Sequence, residues 1–122
     1  MKKVLVVDDN PVSRELIREV LEGPHQLILE AEDGEEALEK VFQEEPDVVL
    51  LDIQLPVLDG YEVLRRIRGN PRFSRLPVIA LTALAMREDC EKAFALGFDG
   101  YVTKPIDVAS LRSRIGSLLG DV

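Results

Sequence analysis

Two uninterrupted apolar runs in the sequence each end in acidic residues. The first run covers 4–7 and is followed by Asp8 and Asp9, and the second covers 48–51 and is followed by Asp52. A short Val/Leu run without alternation is typical of a β-strand buried on both faces, as in a parallel sheet covered by helices. Because a charged side chain is not expected inside such a strand, we expect Asp52 just beyond its C-terminal end. In open α/β sheets, ligands bind at that edge.

Strand-like and helix-like segments alternate along the whole chain. The predicted strands cover 3–7, 27–30, 47–51, 78–81 and 100–102. Asn10-Pro11, Asp33-Gly34 and Asp107 are typical helix starts. Helical spacing groups apolar residues on one side of each intervening segment: Val12, Leu16, Ile17, Val20 and Leu21, then Ala37, Leu38, Val41 and Phe42, then Val63, Leu64 and Ile67, then Ala93, Phe94 and Leu96, then Val108, Leu111, Ile115, Leu118 and Leu119. This order predicts an α/β fold with helices on both faces of a parallel sheet.

Composition narrows the class of protein. The chain has 122 residues, of which 46% are hydrophobic, so we expect a single domain over 1–122 with a buried core. Its 23 acidic and 15 basic residues give a net charge of -8, which argues against direct binding to nucleic acid. Cys90 is the single cysteine, which favours a reducing compartment. The sequence has no membrane-span or signal-peptide pattern, so we expect a cytoplasmic protein that does not bind membranes.

Polar residues follow four of the five predicted strands. Asp8 and Asp9 follow the first strand, Asp52 the third, Thr82 the fourth and Lys104 the fifth. If the sheet is parallel, all of these side chains project from one edge. Carboxylates in close contact repel each other by about 4 kcal/mol per pair at an effective dielectric constant of about 20, so the cluster should raise a pKa or hold a cation. An oxygen-only ligand set with few protein groups suits Mg²⁺.

The same edge has the groups that a phosphoryl group requires. A dication, a hydroxyl and an ammonium match its charged equatorial oxygens. The sequence has no histidine near the acids, no Ser–His pair and no glycine-rich phosphate loop. A nucleophile here must therefore be a carboxylate, which would form an aspartyl phosphate. Each residue alone would more often be a helix cap, a turn residue or a surface charge, but independent caps have no reason to fall on successive strand ends.

Four blocks of the sequence carry a family resemblance. They are Asp8-Asp9, the block Leu-Leu-Asp-Ile-Gln-Leu-Pro-Val-Leu-Asp-Gly at 50–60, Leu81-Thr82-Ala83 and Lys104-Pro105. The chain resembles, over its whole length, the receiver domain of two-component response regulators, the CheY-like family. This resemblance implies a flavodoxin-like, doubly wound sheet of five parallel strands in the order 2-1-3-4-5, with five helices. Segments 53–56 and 84–86 look most similar to single-domain regulators of the DivK type and to receivers attached to hybrid kinases.

The resemblance assigns a phosphoacceptor and a metal site. It implies that Asp52 takes a phosphoryl group from a phosphohistidine on a sensor histidine kinase or a histidine phosphotransfer protein. It also implies that Asp8, Asp9 and Asp52 bind Mg²⁺ together with the backbone carbonyl of Gln54. The cofactor is therefore Mg²⁺, and the protein is expected to be a switch and not a turnover enzyme.

Further residues receive roles by the same resemblance. Thr82 is expected to hydrogen-bond a phosphoryl oxygen, and Lys104 to pair with it. Pro105 is a candidate for a cis peptide bond. Tyr101 stands at the aromatic switch position, where it turns inward with Thr82 and changes the surface of the fourth helix, fifth strand and fifth helix. That surface would control a downstream protein target, and a homodimer that depends on phosphorylation is compatible with this picture.

In the family, the residues two beyond the acceptor and two beyond the threonine tune hydrolysis of the phosphoryl bond. Here they are Gln54 and Leu84. Because an apolar Leu84 cannot position an attacking water, we hypothesise that the phosphoryl group is lost more slowly than in a Leu84→Glu variant.

Two other functions remain open from the sequence. The first is a phosphatase or phosphotransferase with an aspartyl-phosphate intermediate, which usually needs an acid two residues beyond the nucleophile, where this chain has Gln54. The second is an interaction module that never binds phosphate. We also expect His25, the single histidine, to be exposed in a turn, and the acidic residues of 30–39 to form a solvated face.

Overall fold

Five parallel strands form one sheet in the order β2-β1-β3-β4-β5. The computed structural model describes residues 1–83 and 87–119. The strands are β1 Lys2–Val7, β2 Gln26–Ala31, β3 Val48–Asp52, β4 Val78–Thr82 and β5 Gly100–Thr103. The helices are α1 Pro11–Leu21, α2 Gly34–Glu44, α3 Gly60–Gly69, α4 Arg87–Ala95 and α5 Val108–Leu119, with a 3₁₀ turn at Pro71–Phe73. The predicted α/β class and strand order are confirmed.

The central strands are buried on both faces, as their unbroken apolar sequences predict. Alternate residues of a strand point to opposite faces of the sheet. Accordingly, Leu5 and Val49 belong to one hydrophobic core, and Val4 and Val48 to the other. All residues of β3 and β4 are buried. These two cores fix the sheet between its helices, so the strand ends have defined positions.

Side-chain caps start four of the helices. Asn10 accepts a hydrogen bond from the backbone N–H of Val12 before α1, and Asp33 and Asp59 accept similar bonds before α2 and α3. Asp107 accepts from the N–H of Ala109 at the start of α5. Such caps satisfy backbone donors that have no partner inside the helix. The helix starts predicted at Asn10, Asp33 and Asp107 are thus confirmed, and Asp59 is a further cap.

Some of the apolar helix residues that were predicted to face inward are exposed. Val12 and Leu16 are 71% and 38% exposed, whereas Ile17 and Leu21 are buried. The reason is that the stripe of α1 that faces the sheet runs through 14, 17 and 21, and an isolated apolar residue can remain on the surface at little cost. The other predicted apolar positions that the structure leaves exposed are Phe42, Phe94, Leu96, Val108 and Leu118.

Candidate acidic site at the C-terminal edge of the sheet

The C-terminal edge of the sheet brings together the predicted polar residues. Asp8 follows β1 directly, while Asp52 and Thr82 are the last residues of β3 and β4. Asp52 was expected just beyond its strand, but it still pairs with Leu81 of β4. Its carboxylate is accommodated there because the backbone N–H of Gln54 and Nζ of Lys104 donate hydrogen bonds to its two oxygens. Asp8, Asp52 and Thr82 are buried, and Asp9 is exposed.

Three carboxylates form the centre of this site. One oxygen each of Asp8, Asp9 and Asp52 lies within 4.8 Å of the others. Asp8 Oδ1 accepts a hydrogen bond of 2.9 Å from the backbone N–H of Asn10. Within the described ranges, the buried Asp8 Oδ2 accepts no aligned hydrogen bond. A buried oxygen in this state, close to two more carboxylates, fits a hard dication such as Mg²⁺.

Lys104 supplies a positive charge to the same carboxylates. Its Nζ donates a hydrogen bond of 2.9 Å to Asp52 Oδ2 and lies 2.8 Å from Asp8 Oδ2. Burial lowers the pKa of the Lys104 ammonium, but its contacts with the two acids outweigh that effect and hold the pKa above its ordinary value. The repulsion expected among the acids is therefore partly offset by the positive charge of Lys104, which follows the edge strand β5.

The two oxygens of Asp52 have different partners. Oδ1 accepts a hydrogen bond of 2.9 Å from the backbone N–H of Gln54, and Oδ2 faces Lys104. Burial raises the pKa of the Asp52 carboxyl above its ordinary value, although both hydrogen bonds act in the opposite direction. The negative charge of Asp8 adds to the rise. This carboxyl is thus held in a fixed orientation in a poorly solvated place.

Gly60 allows α3 to begin directly against the backbone of Asp52. A Cβ atom at position 60 would lie 2.5 Å from the carbonyl oxygen of Asp52 and 2.7 Å from Cα of Ile53. The N–H of Gly60 also donates to the carbonyl of Ile53 at 3.0 Å. Any side chain would push the helix away from the end of β3. The segment between them, which carries Gln54, is therefore tightly held at both ends.

The β4 and β5 ends complete the edge. The backbone N–H of Lys104 donates to the carbonyl of Thr82 at 2.8 Å, so the two residues are tied through the main chain. The peptide bond between Lys104 and Pro105 is cis. Tyr101 on β5 is half-buried, with its ring 5.8 Å from that of Phe94 and 5.6 Å from the guanidinium of Arg114.

Arg14 is the residue near the site that sequence reasoning missed. It is only 9% exposed, and its Nη1 donates a hydrogen bond of 2.7 Å to the backbone carbonyl of Asp8. The available signal was its position, because Arg14 shares the buried stripe of α1 with Ile17 and Leu21. A charged residue on such a stripe needs buried partners, which indicates a role beyond solubility.

The acidic residues of 30–39, which begin on β2, do not all form the predicted solvated face. Glu30 is half-buried and forms ion pairs with Arg14 and Arg18. These pairs hold the pKa of Glu30 below its ordinary value even though burial raises it. The arginines of α1 were not considered as partners, and they explain why the prediction was wrong for Glu30. His25 is exposed, as expected.

The family comparison agrees with the fold and the site. The response regulator receiver domain family matches residues 4–116. The chain therefore belongs to the receiver domain family of response regulators, the proteins of two-component signal transduction. Receiver domains act as phosphoacceptor signalling modules, so the predicted family and signalling class are confirmed. Leu84, to which the hypothesis of slow phosphoryl loss refers, lies outside the described residues.

Individual relatives extend over nearly the whole chain. The polar-differentiation response regulator DivK of Brucella anthropi is 37% identical over 120 residues, covering 98% of each chain. The chemotaxis response regulator CheY4 of Vibrio cholerae has a TM-score of 0.90 and 29% identity, covering 97% of this chain and 98% of that one. The receiver domain of a Pseudomonas aeruginosa sensor histidine kinase has a TM-score of 0.88 and 34% identity, with 98% of each chain covered. That structure has a magnesium ion coordinated in its active site cleft.

Over the described ranges, each helix is too short or too polar to cross a bilayer.

Proposed function

We propose that Asp52 accepts a phosphoryl group in a Mg²⁺-dependent reaction and thereby switches a partner-binding surface. The observation that carries this proposal is the convergence of Asp8, Asp9 and Lys104 on the Asp52 carboxylate. The donor would be a phosphohistidine of a sensor histidine kinase or of a histidine phosphotransfer protein. The whole of 1–122 would be one receiver domain in the cytoplasm.

The transfer step needs little from the protein beyond positioning and charge. A carboxylate oxygen of Asp52 attacks phosphorus and forms the new P–O bond, while the P–N bond to the donor imidazole breaks and nitrogen keeps its electron pair. The imidazole is then free to take a proton from solvent. The backbone N–H of Gln54, which donates to Asp52 Oδ1, fixes the orientation of the attacking group. One phosphoryl group is taken up, the dephosphorylated donor dissociates, and no inorganic phosphate is released.

Four groups of this chain would hold the metal. They are the carboxylates of Asp8, Asp9 and Asp52 and the backbone carbonyl of Gln54. When bound, Mg²⁺ offsets the negative charge of the transferring phosphoryl oxygens. Asp8 Oδ2 and Asp52 Oδ2 both face Lys104 in the structure, so these acids can share one more cation without a change of fold.

The remaining groups convert phosphorylation into a change of surface. Lys104 would leave its carboxylate contacts to pair with a phosphoryl oxygen, and the Thr82 hydroxyl would bond another. Since the N–H of Lys104 donates to the carbonyl of Thr82, both respond together. Tyr101 lies on β5, which ends directly before Lys104. Its half-buried ring, which contacts Phe94 and Arg114, would turn inward. The surface of α4, β5 and α5 would then bind a downstream protein or a second copy.

Incubation with phosphoramidate and MgCl₂, followed by intact mass measurement, tests the proposal. The wild-type protein should gain one phosphoryl group, and neither Asp52→Asn nor wild type in EDTA should gain any. Rapid release of many equivalents of phosphate would indicate a phosphatase instead. No modification in the presence of magnesium would indicate an interaction module and would contradict the proposal.

A further inference from the structure

Arg14 is one of the few buried charged residues in the part of the chain that the structure describes, and the others belong to the acidic site. Among the described residues, the buried polar or charged side chains are those of Asp8, Arg14, Asp52 and Thr82. The other three have proposed roles in phosphoryl transfer, whereas Arg14 contacts Asp8 through its backbone carbonyl and not through its carboxylate. A buried guanidinium is stable only when its charge and its donors are satisfied. Its partners therefore indicate what it does.

The partners of Arg14 connect three segments. Nη1 donates to the backbone carbonyl of Asp8 at 2.7 Å, and Nε donates to Glu30 Oε1 at 3.1 Å. Nη2 donates to Glu32 Oε1 at 3.4 Å. The guanidinium thus links α1, the end of β1 and the residues at the end of β2. Its planar shape allows it to donate in several fixed directions at once, which a lysine ammonium on a flexible stem does not reproduce.

The result is that the main chain of Asp8 is held from both sides. Its N–H donates to the carbonyl of Ala31 at 3.2 Å, and its carbonyl accepts from Arg14. The side chain is oriented as well, because Oδ1 accepts from the N–H of Asn10. Its other oxygen, Oδ2, lies 2.8 Å from Nζ of Lys104, which also contacts Asp52. Mg²⁺ demands near-ideal octahedral geometry, so a small displacement of one ligand lowers its affinity.

We propose that Arg14 is a positioning residue of the magnesium site, which it organises through the backbone carbonyl of Asp8. This inference rests on the proposed function, because it requires that Asp8 bind Mg²⁺. Arg14 touches neither metal nor phosphoryl group. It sets metal affinity from behind the ligand, as partners of metal ligands do when their loss weakens binding by about 10–100-fold.

Arg18 offers a matched control on the same helix. It also pairs with Glu30, through both Nε and Nη2, but its other contacts are with Glu22 and the carbonyl of Ile28. Loss of Arg18 therefore removes a charge and a Glu30 partner and leaves the Asp8 carbonyl bonded. An effect confined to Arg14 variants belongs to the Asp8 contact.

The test is a MgCl₂ titration of ¹⁵N-labelled, unphosphorylated protein. The chemical shifts of the Asp9 and Gln54 amides are measured at each magnesium concentration and give the Kd. Arg14→Met should raise the Kd for magnesium about 10-fold, Arg14→Lys should also raise it, and Arg18→Met should stay within about twofold of wild type. If Arg14→Met does not fold, the comparison of Arg14→Lys with Arg18→Lys decides. The Kd for magnesium should then rise in Arg14→Lys and stay within about twofold of wild type in Arg18→Lys.

Three results overturn the inference. An Arg14 variant with the wild-type Kd shows that the Asp8 carbonyl contact does not matter for the metal. A tighter Kd shows that Arg14 acts only as a repelling charge. An equal loss in the Arg18 variant shows general loosening around Glu30. In each case the wild-type titration still reports magnesium binding, whereas its failure would contradict the proposed function itself.

Discussion

The ammonium of Lys104 lies 2.9 Å from Asp52 Oδ2, although 52 positions separate the two residues in the chain. This contact exists because β3 and β5 both end at one edge of the sheet, on either side of β4. It holds a positive charge against a carboxylate that burial would otherwise disfavour. In the proposed function, this position would let the same lysine pair with the acids before phosphorylation and with the phosphoryl group afterwards.

Neutralising Asp52 should stabilise the protein at neutral pH. Because the folded-state pKa of Asp52 lies above its ordinary value of 3.8, the folded protein keeps a proton that the unfolded chain has lost. The free energy of unfolding therefore falls as pH rises from about 3.8 through the folded-state pKa, and this loss remains above it. Asn does not titrate in either state. Asp52→Asn should thus have a higher melting temperature at pH 7 without metal, and the gain should vanish in acid.

Thermal unfolding at the two pH values checks this expectation. Asp9→Asn is the matched control, since it neutralises an exposed carboxylate of the same cluster. Its gain should be smaller, because water already solvates Asp9. Equal melting temperatures for wild type and Asp52→Asn at pH 7 would show that the buried carboxylate is fully compensated by Lys104.

Magnesium should stabilise the wild-type protein and not the Asp9→Asn variant. A ligand that binds only the folded state adds about 2.7 kcal/mol to the free energy of unfolding at 100 times its Kd. Asp9 is an exposed member of the carboxylate cluster, so its replacement removes a proposed ligand without disturbing the core. Urea titrations with MgCl₂, and with NaCl at equal ionic strength, measure the difference. Glu15→Gln, an exposed acid of α1, should keep the full stabilisation; an equal loss in both variants would assign the effect to net charge.

Val57 should be a site of stored backbone strain. It has a φ of 67° in the segment between Asp52 and α3, and its side chain is 88% exposed. A positive φ costs an L-residue about 1–2 kcal/mol and is a genuine outlier for a β-branched one, whereas Asn adopts it more readily. Val57→Asn should therefore raise the free energy of unfolding by about 1 kcal/mol. Val12→Asn replaces another exposed valine, inside α1, and should not raise the free energy of unfolding. A gain in stability at Val12, or no gain at Val57, would contradict the proposed strain.

Phosphorylation should change the surroundings of Tyr101 more than those of Tyr61. The chain has two tyrosines, so protein labelled with 3-fluorotyrosine gives two ¹⁹F signals. Tyr61 lies on α3, where its ring packs edge-on against Phe98 with centroids 6.1 Å apart. Nζ of Lys92 on α4 is 4.7 Å from the same ring centroid, so Tyr61 borders α4 and should shift less than Tyr101, which lies on β5 itself. Tyr61→Phe assigns the signals. A larger shift for Tyr61 than for Tyr101 after treatment with phosphoramidate would speak against the switch.

The sheet was predictable because its signals are local. Unbroken apolar runs such as 48–51 specify strands buried on both faces, and caps such as Asn10 and Asp33 mark the helix starts. The orientation of each helix was less predictable. On α1, two overlapping stripes compete, and the one with Arg14, Ile17 and Leu21 faces the sheet. There the guanidinium of Arg14 meets one acid on β2 and one just beyond it, 16 and 18 positions away. Such long-range partners leave no periodic signal.

The sequence was enough to predict which residues of the acidic site are neighbours. Parallel strands place their C-terminal ends at one edge, so Asp8, Asp52 and Lys104 had to be neighbours once the topology was known. Their actual contacts required the structure. A lysine side chain has many rotamers, and only packing shows that Nζ lies between Asp8 Oδ2 and Asp52 Oδ2. The hold of Arg14 on the backbone of Asp8 likewise involves a carbonyl, which every residue has.

The most direct test of the central claim is to trap the phosphorylated residue. After incubation with phosphoramidate and MgCl₂, borohydride reduces an aspartyl phosphate to homoserine, which peptide mass spectrometry locates. The account predicts homoserine at position 52 alone, in a yield that falls to background in EDTA. Homoserine at position 8 or 9, or an unmodified Asp52 at saturating magnesium, would contradict it.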